Sequence, residues 1–469
     1  MVKTSGAIGL SPLILPAPIL ASTKKAEKVL NIEPKQTEPL TILPTDLGLN
    51  KLGDPDAIQG IVLPPLGFDQ PKNTLSNEEK ILLRLIATNN RSNNDAAITE
   101  ILATLDSTSL NTVLKRAHMV NLLRESGNSC WVSTVTERLT VLKARASELT
   151  PEVKSRVFKT MYDKSYCRKP KLALELILTL DADNVREFKA CLDKRFIGKS
   201  LNVILGHVVG TSNTETAIAK IESIKPKTDV LEQRVFADID DTVCCGWKDT
   251  RYPKSTIYPG SGQFIQALRR TDMEDLGKSL GVAFLTARPK DGFGLMDHYT
   301  RNSLEKSGLA SATILYGDFC HLFPESRIGT KKFSNFENNL RLYPEGKFTF
   351  VGDSGQKDTE VGLEMLEKHP DQMLGVFIHN VTGMSDMRKR RLAKKGVWVF
   401  ENYAEAARIA LKEGIIESDK ARDVGTACIR KFCDIDFADD SQKKALFKVL
   451  KQDLNRLFRE VEVRDAIAA

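Results

Sequence analysis

The sequence has no apolar run approaching the ~18 to 20 residues that a helix needs to span a bilayer. We therefore do not expect a membrane-spanning protein. Its eight cysteines form neither a C-x-x-C motif nor a Cys/His spacing typical of zinc sites. Their scatter favours a reduced, intracellular chain, either cytoplasmic or attached peripherally to a membrane.

A strong charge of one sign is also lacking. The chain has 68 Lys and Arg against 61 Asp and Glu, which gives a formal net charge of +7. A nucleic-acid-binding domain normally carries a much stronger basic bias, so we expect no nucleic-acid partner. The small surplus is compatible with an anionic substrate or an anionic surface.

The length of 469 residues allows two or three domains. Residues 1–73 hold 10 of the 19 prolines, which predicts an extended, poorly ordered arm. An apolar segment at 9–21 loosely resembles the core of a signal peptide, but its three prolines would break the helix that such a core prefers. A docking peptide or a plain linker is therefore favoured over secretion.

Residues 74–229 are predicted to form an all-α domain. Ser76 and Glu79 make a capping box, and the apolar residues behind them recur at helical spacing. Residues 100–106 and 175–181 resemble each other, each ending in an Asp shortly before the next helix, which indicates stacked helical hairpins. The segment carries no recognisable chemistry, and binding of a protein partner is its default interpretation.

Residues 230–416 alternate apolar strands with helices, which predicts a Rossmann-like α/β fold with a doubly wound, mostly parallel sheet. The expected strands end near Ala237, Thr286, Tyr316, Val351, His379 and Phe400. Residues 417–469 are expected to form a C-terminal helical segment. Between 441 and 461 its apolar residues lie on one helical face, which favours packing back onto the protein.

Acidic residues follow the first predicted strand directly. Asp238 and Asp240 stand just beyond Val235–Ala237, and Thr242 completes a D-x-D-x-T motif. Ligands of open α/β sheets bind beyond the carboxyl ends of the strands, and paired carboxylates there suit a hard cation such as Mg²⁺. The alternative is an acidic turn or a helix cap after an ordinary strand.

Three further groups follow along the chain: Thr286, the pair Lys331 and Lys332, and the segment at 352–358 that contains Asp353 and Asp358. With the acidic motif, these four groups are expected at four strand ends. Over residues 232–416 the set resembles the haloacid dehalogenase-like phosphohydrolases, in order and in spacing. The resemblance implies a Mg²⁺-dependent phosphoric monoester hydrolase that forms an aspartyl-phosphate.

The resemblance also implies a role for each residue. Asp238 would attack phosphorus, and Asp240 would protonate the leaving oxygen and then activate water. Thr286 and a lysine would hold the phosphoryl group; Lys332 is favoured, with Lys331 as the alternative. Mg²⁺ would bind to the Asp238 carboxylate, the Asp240 carbonyl, Asp353 and, directly or through water, Asp358. Asp241 and Ser354 are interpreted as a capping carboxylate and a turn hydroxyl.

Within that superfamily, the chain is most similar to the catalytic domain of the actin-patch-associated phosphatidate phosphatases. The shared features are the acidic motif at 238–242, the basic pair before Tyr343-Pro344, the strand at 347–350 and the segment at 352–358. Three stretches depart from that family's pattern: 243–254, the turn after Thr286, and 359–362. The resemblance thus implies phosphatase chemistry and lipid metabolism more firmly than phosphatidate itself.

The short spacings from Thr242 to Thr286 and from Thr286 to Lys332 leave room only for a minimal cap. An open site suits a bulky phosphate ester, such as a lipid head group or a phosphoprotein. A basic run at 388–395 would contact anionic lipid or form a solvated helix face. The favoured function is a lipid-phosphate phosphatase; the alternatives are a phosphatase of a soluble ester or phosphoprotein, and a helical interaction protein with a vestigial phosphatase module.

Overall fold

The computed structural model describes residues 75–89, 94–124, 137–225, 232–270, 281–289, 295–317 and 325–468. The predicted arm at 1–73 lies outside these residues, as do residues 226–229 at the end of the predicted all-α domain. Residues 78–469 form one compact unit. The domain boundaries expected from the sequence stay a prediction.

The N-terminal part of this unit is helical, as expected. Its helices are α1 (Asn77–Thr88), α2 (Asp95–Thr104), α3 (Ser107–Arg116), α4 (Met119–Leu123), α5 (Glu137–Ala144), α6 (Pro151–Asp163), α7 (Pro170–Leu178), α8 (Val185–Arg195), α9 (Leu201–Val209) and α10 (Thr211–Ser223). Asp106 caps α3, because its side chain accepts hydrogen bonds from the backbone N–H groups of Thr108 and Ser109. Asp181, at the end of the second repeated stretch, does not cap the next helix: α8 begins at Val185 after Asn184.

The second half contains a six-stranded parallel sheet, so the predicted α/β fold is confirmed. Its strands are β1 (Gln233–Ala237), β2 (Val282–Pro289), β3 (Thr313–Gly317), β4 (Lys347–Asp353), β5 (Met373–His379) and β6 (Val397–Phe400). Their order in the sheet is β3-β2-β1-β4-β5-β6. The chain winds outward from β1 to one edge and then from β4 to the other. The β1/β4 boundary is therefore the topological switch point, where ligands of such sheets bind.

The remaining helices alternate with the strands along the chain or come after the last strand. They are α11 (Ser261–Ala267), α12 (Leu295–Lys306), α13 (Glu325–Leu342), α14 (Asp358–Lys368), α15 (Asp386–Ala393), α16 (Tyr403–Lys412), α17 (Ser418–Cys433) and α18 (Asp440–Ala468). The last helix packs on the protein through Leu450, Leu454 and Leu457, all buried. Val449, expected on the same face, is 41% exposed. Within the described residues, no helix combines the length and apolarity that crossing a bilayer requires.

Buried charges join the helical part to the sheet. Nζ of Lys189 on α8 lies 2.5 Å from a carboxylate oxygen of Glu345, and both side chains are almost fully buried. On the same helix, Asp193 accepts a hydrogen bond of 3.0 Å from the Tyr343 hydroxyl. The Arg234 guanidinium lies 3.5 Å from the centre of the Tyr343 ring. Buried charges are tolerated only when paired, so these contacts fix how α8 sits against the sheet.

Candidate active site

Two acidic residues face each other across the switch point. Asp238 follows β1 and Asp353 ends β4, and the backbone N–H of Asp238 donates to the Val351 carbonyl at 2.9 Å. The register pairs Ala237 with Val351, which brings the two strand ends level. Both side chains are buried, with Asp238 1% and Asp353 0% exposed. The carboxyl end of the sheet thus holds two acids where a ligand would bind.

A third acid completes a cluster. Asp358, the first residue of α14, is fully buried, and oxygens of Asp238, Asp353 and Asp358 all lie within 4.8 Å of one another. Oδ2 of Asp238 and Oδ2 of Asp353 are buried and have no hydrogen-bond partner. Buried carboxylate oxygens without a partner carry a high cost, which a cation would remove. The cluster can therefore hold a metal ion, and its all-oxygen donor set fits a hard one.

Lys332 closes the cluster from one side. Its Nζ lies 3.0 Å from Oδ1 of Asp238 and 2.5 Å from Oδ1 of Asp358. The Lys332 side chain is buried, whereas Lys331 is half-buried, and the choice of Lys332 as the phosphate-pairing lysine stays a prediction. The prediction that this lysine follows a strand was wrong: it lies inside α13. A helix can present a long side chain to a strand end equally well.

Burial and mutual repulsion shift the pKa values of this cluster. Burial raises the pKa of Asp238 to about 7, and the Asp358 and Asp240 carboxylates add to the rise while Lys332 opposes it. Burial, with the Asp358 and Asp238 carboxylates, raises the pKa of Asp353 well above its usual value, although Lys332 opposes the rise. For Lys332, burial disfavours the charge, but Asp238 and Asp358 outweigh it and raise the pKa. Three carboxylates against one ammonium leave a surplus of negative charge, which a divalent cation would balance.

Asp358 is held from both sides. Its Oδ1 contacts Lys332, and its Oδ2 accepts a hydrogen bond of 3.3 Å from the Asp353 backbone N–H. Both oxygens are thus engaged, whereas Asp238 and Asp353 each keep one oxygen without a partner. This arrangement suits Asp358 to orient Lys332 and to reach a metal through water.

The remaining predicted residues lie beside the cluster. Asp240 is 8% exposed and Thr286 is 1% exposed. Thr286 lies inside β2 and not at the expected strand end, and the register, which pairs Ala237 with Phe284, brings it close to the level of Asp238. The Asp240 carboxylate does not belong to the three-acid cluster. Only its backbone carbonyl was expected to bind the metal, and its side chain was assigned to proton transfer.

A loop at 243–258, called the flap below, covers the acidic motif. Asp241 has a positive φ of 58°, and its side chain anchors the flap through hydrogen bonds. Its carboxylate accepts hydrogen bonds from the backbone N–H groups of Gly246, Trp247, Lys248 and Asp249. This agrees with its interpretation as a capping carboxylate. A Cβ on Gly246 would lie 2.9 Å from Oδ1 of Asp240, so the glycine lets the flap backbone pass directly against that acid.

His379, at the end of β5, was missed by the sequence analysis. Its Nδ1 lies 2.8 Å from the Asp241 carbonyl, and its Nε2 lies 3.2 Å from Nη2 of Arg251 in the flap. A carbonyl only accepts, so Nδ1 carries the proton and Nε2 accepts from Arg251. Arg251 in turn bonds Asp249, which is fully buried. His379 thus links the acidic motif to the flap.

Comparison with known proteins supports an enzyme. Residues 233–380, about a third of the chain, match the family model described as phosphatidate phosphatase APP1, catalytic domain. The family similarity predicted from the sequence is therefore confirmed over this segment, as is its enzyme class, phosphoric monoester hydrolase. No match was found among curated proteins or among solved structures.

Proposed function

We propose that this protein is a Mg²⁺-dependent phosphatase of the haloacid dehalogenase-like type that hydrolyses phosphatidate or a related lipid phosphate through an aspartyl-phosphate on Asp238. The observation that carries the proposal is the buried cluster of Asp238, Asp353, Asp358 and Lys332 at the switch point. The family match over residues 233–380 supports the lipid-phosphate substrate.

The first step is attack by a carboxylate oxygen of Asp238 on phosphorus. A P–O bond forms to Asp238 while the bond from phosphorus to the lipid oxygen breaks, and Asp240 gives its proton to that leaving oxygen. Lys332, which contacts Asp238 and Asp358, would pair with the phosphoryl oxygens. Thr286, on β2, would donate a hydrogen bond to the same group.

In the second step, Asp240 takes a proton from water, the water oxygen attacks phosphorus, and the bond to Asp238 breaks to release inorganic phosphate. Asp238, Asp353 and the Asp240 carbonyl would hold Mg²⁺, and Asp358 would bind it directly or through water. The ion would offset the repulsion between the Asp238 carboxylate and the phosphate.

A soluble ester or a phosphoprotein is the alternative substrate. A protein partner for the helical part, and contact with an anionic membrane, are further proposals.

The experiment compares phosphate release from vesicles that contain phosphatidate with release from soluble phosphate monoesters, with and without Mg²⁺. We expect Mg²⁺-dependent release from the vesicles and a covalent phosphate on Asp238 after acid quenching, detected by peptide mass spectrometry. Asp238→Asn should abolish both signals. Asp371→Asn is the matched control, because Asp371 is exposed just before β5, at the amino-terminal edge of the sheet. Release from soluble esters alone would favour the alternative substrate.

A further inference from the structure

The flap exposes an aromatic side chain beside the active site. Trp247 is 80% exposed, the largest exposed fraction among the exposed large hydrophobic residues of the described chain. It follows Gly246, whose backbone lies against the Asp240 carboxylate. Trp combines a large apolar ring with a polar N–H, which suits it to an interface that is apolar on one side and wet on the other.

The charges around Trp247 are of one sign. Within the flap, Lys248 and Lys254 are exposed, and the sole acid of that loop, Asp249, is fully buried. Lys254 is fixed by a hydrogen bond to the Gly246 carbonyl. The outer face of the flap therefore presents one aromatic ring and two ammonium groups. Such a combination suits an anionic lipid surface, where Trp settles at the level of the head groups.

The flap is continuous with a second exposed surface. A Cβ on Gly355 would lie 2.8 Å from Cγ of Lys248, so the flap touches the loop after β4. The next contact outward joins Ser354 and Thr382, whose hydroxyl oxygens lie 2.9 Å apart. Beyond Thr382, α15 begins at Asp386, and its second residue, Met387, is 73% exposed and precedes the basic run. The loop after β4 thus connects the flap to the segment that leads into α15.

We propose that Trp247 inserts into the head-group region of an anionic bilayer and so delivers the lipid to Asp240. This rests on the proposed function, because it takes Asp240 as the acid that protonates the leaving oxygen. That oxygen belongs to the lipid and stays attached to the acyl chains. The chains must therefore leave the site on the Asp240 side, where the backbone of Gly246, the residue before Trp247, lies against the acid.

The test combines insertion with turnover. Vesicles with phosphatidylserine and brominated acyl chains should quench the fluorescence of the native protein, and Trp247→Phe should remove most of that quenching. For Trp247→Ala, we expect the ratio of phosphatidate release from vesicles to release from a soluble ester to fall about ten-fold or more, with partial recovery in Trp247→Phe. Ile467→Ser, which changes another exposed apolar residue (78%), on α18, is the matched control.

The outcomes separate the two proposals. An unchanged ratio in Trp247→Ala, with vesicle phosphatidate still hydrolysed, would overturn the role of Trp247 and leave the proposed substrate standing. Quenching that depends on Trp247, in a protein that releases no phosphate from any lipid, would support the membrane contact and overturn the substrate. Equal quenching in the native protein and Trp247→Phe would refute the insertion, even if Trp247→Ala failed to fold.

Discussion

Nζ of Lys332 lies 3.0 Å from Oδ1 of Asp238, and both side chains are only 2% exposed. A buried pair of this kind costs free energy to desolvate, and a protein keeps it where its charge has a use. Here the lysine comes from α13 and the acid from the end of β1, so two elements distant in sequence meet at the proposed phosphoryl site.

Lys332→Met should therefore lower phosphate release at least 100-fold, because it removes the charge that pairs with the phosphoryl group. It should also lower the free energy of unfolding by about 3–5 kcal/mol in the absence of metal, since three buried carboxylates would lose their ammonium partner. Lys331→Met is the matched control, from which we expect a much smaller loss. Steady-state rates and urea unfolding would measure both, and a larger loss of activity in Lys331→Met would reverse the assignment.

Metal binding should depend on pH, and the raised pKa of Asp238 determines whether the affinity rises or falls with pH. The raised pKa of Asp238, about 7, means that this carboxyl holds a proton more readily in the folded, metal-free protein than in the unfolded chain. A cation needs the ionised form, so its affinity should rise as pH increases through about 7, and binding near pH 7 should release protons.

Thermal unfolding with and without Mg²⁺ at pH 6 and pH 8 would test this. At 100 times its dissociation constant, a bound ion stabilises the fold by about 2.7 kcal/mol, so Tm should rise, and more at pH 8 than at pH 6. Asp353→Asn should abolish the rise, whereas Asp371→Asn should not. A Mg²⁺ effect on Tm that survives in Asp353→Asn would show that the ion binds elsewhere.

The sequence predicted much of this fold because its strands are short, apolar and buried on both faces. The strands at Met373–His379 and Val397–Phe400 were expected with the observed bounds. Periodicity could not assign Lys332 to a helix, because a lysine that follows a strand and a lysine that lies within a helix look alike in the sequence.

The flap illustrates a different limit. Its conformation depends on contacts between Asp241 and four backbone N–H groups, and on His379, which lies far away in sequence. No local pattern encodes those contacts. One signal could have identified His379: it is a histidine at the end of a predicted strand, in a sheet where three other expected strand ends carry functional groups.

His379 should make stability depend on pH below neutrality. Burial, with Arg251 nearby, lowers its pKa to about 4, whereas the unfolded chain has a value of about 6.5. Between these values the unfolded chain binds one more proton, so stability falls as pH decreases from about 6.5 to about 4. The full effect is on the order of 3 kcal/mol, and the Asp249 and Glu401 carboxylates, which favour the charged ring, have already offset part of the burial cost in this value.

His379→Gln should flatten this part of the stability profile, measured by urea unfolding at several pH values. It should also loosen the flap, because Gln cannot both donate to the Asp241 carbonyl and accept from Arg251 with the same geometry. His207→Gln, at an exposed position in α9, should leave the slope intact. An identical slope in the native protein and His379→Gln would exclude His379 as the titrating group.

The basic run on α15 should bring the protein to anionic membranes. Arg388, Arg390 and Arg391 are exposed, whereas Lys389 is half-buried and pairs with Glu401 at 2.5 Å. Replacing the three arginines by Ser therefore removes charge without breaking that pair. Each basic residue near an anionic surface contributes about 1 kcal/mol, so the triple variant should bind vesicles on the order of 100-fold more weakly at low salt.

The control must change the net charge equally. Lys412, Lys444 and Lys448 are exposed on α16 and α18, and their joint replacement by Ser removes the same three charges elsewhere. Vesicle sedimentation at low and high salt would compare the two triple variants. Electrostatic attraction reaches about one Debye length, ~8 Å at physiological ionic strength, so the difference between them should vanish at high salt. Equal losses in both variants would mean that overall charge, and not the surface of α15, attracts the protein to lipid.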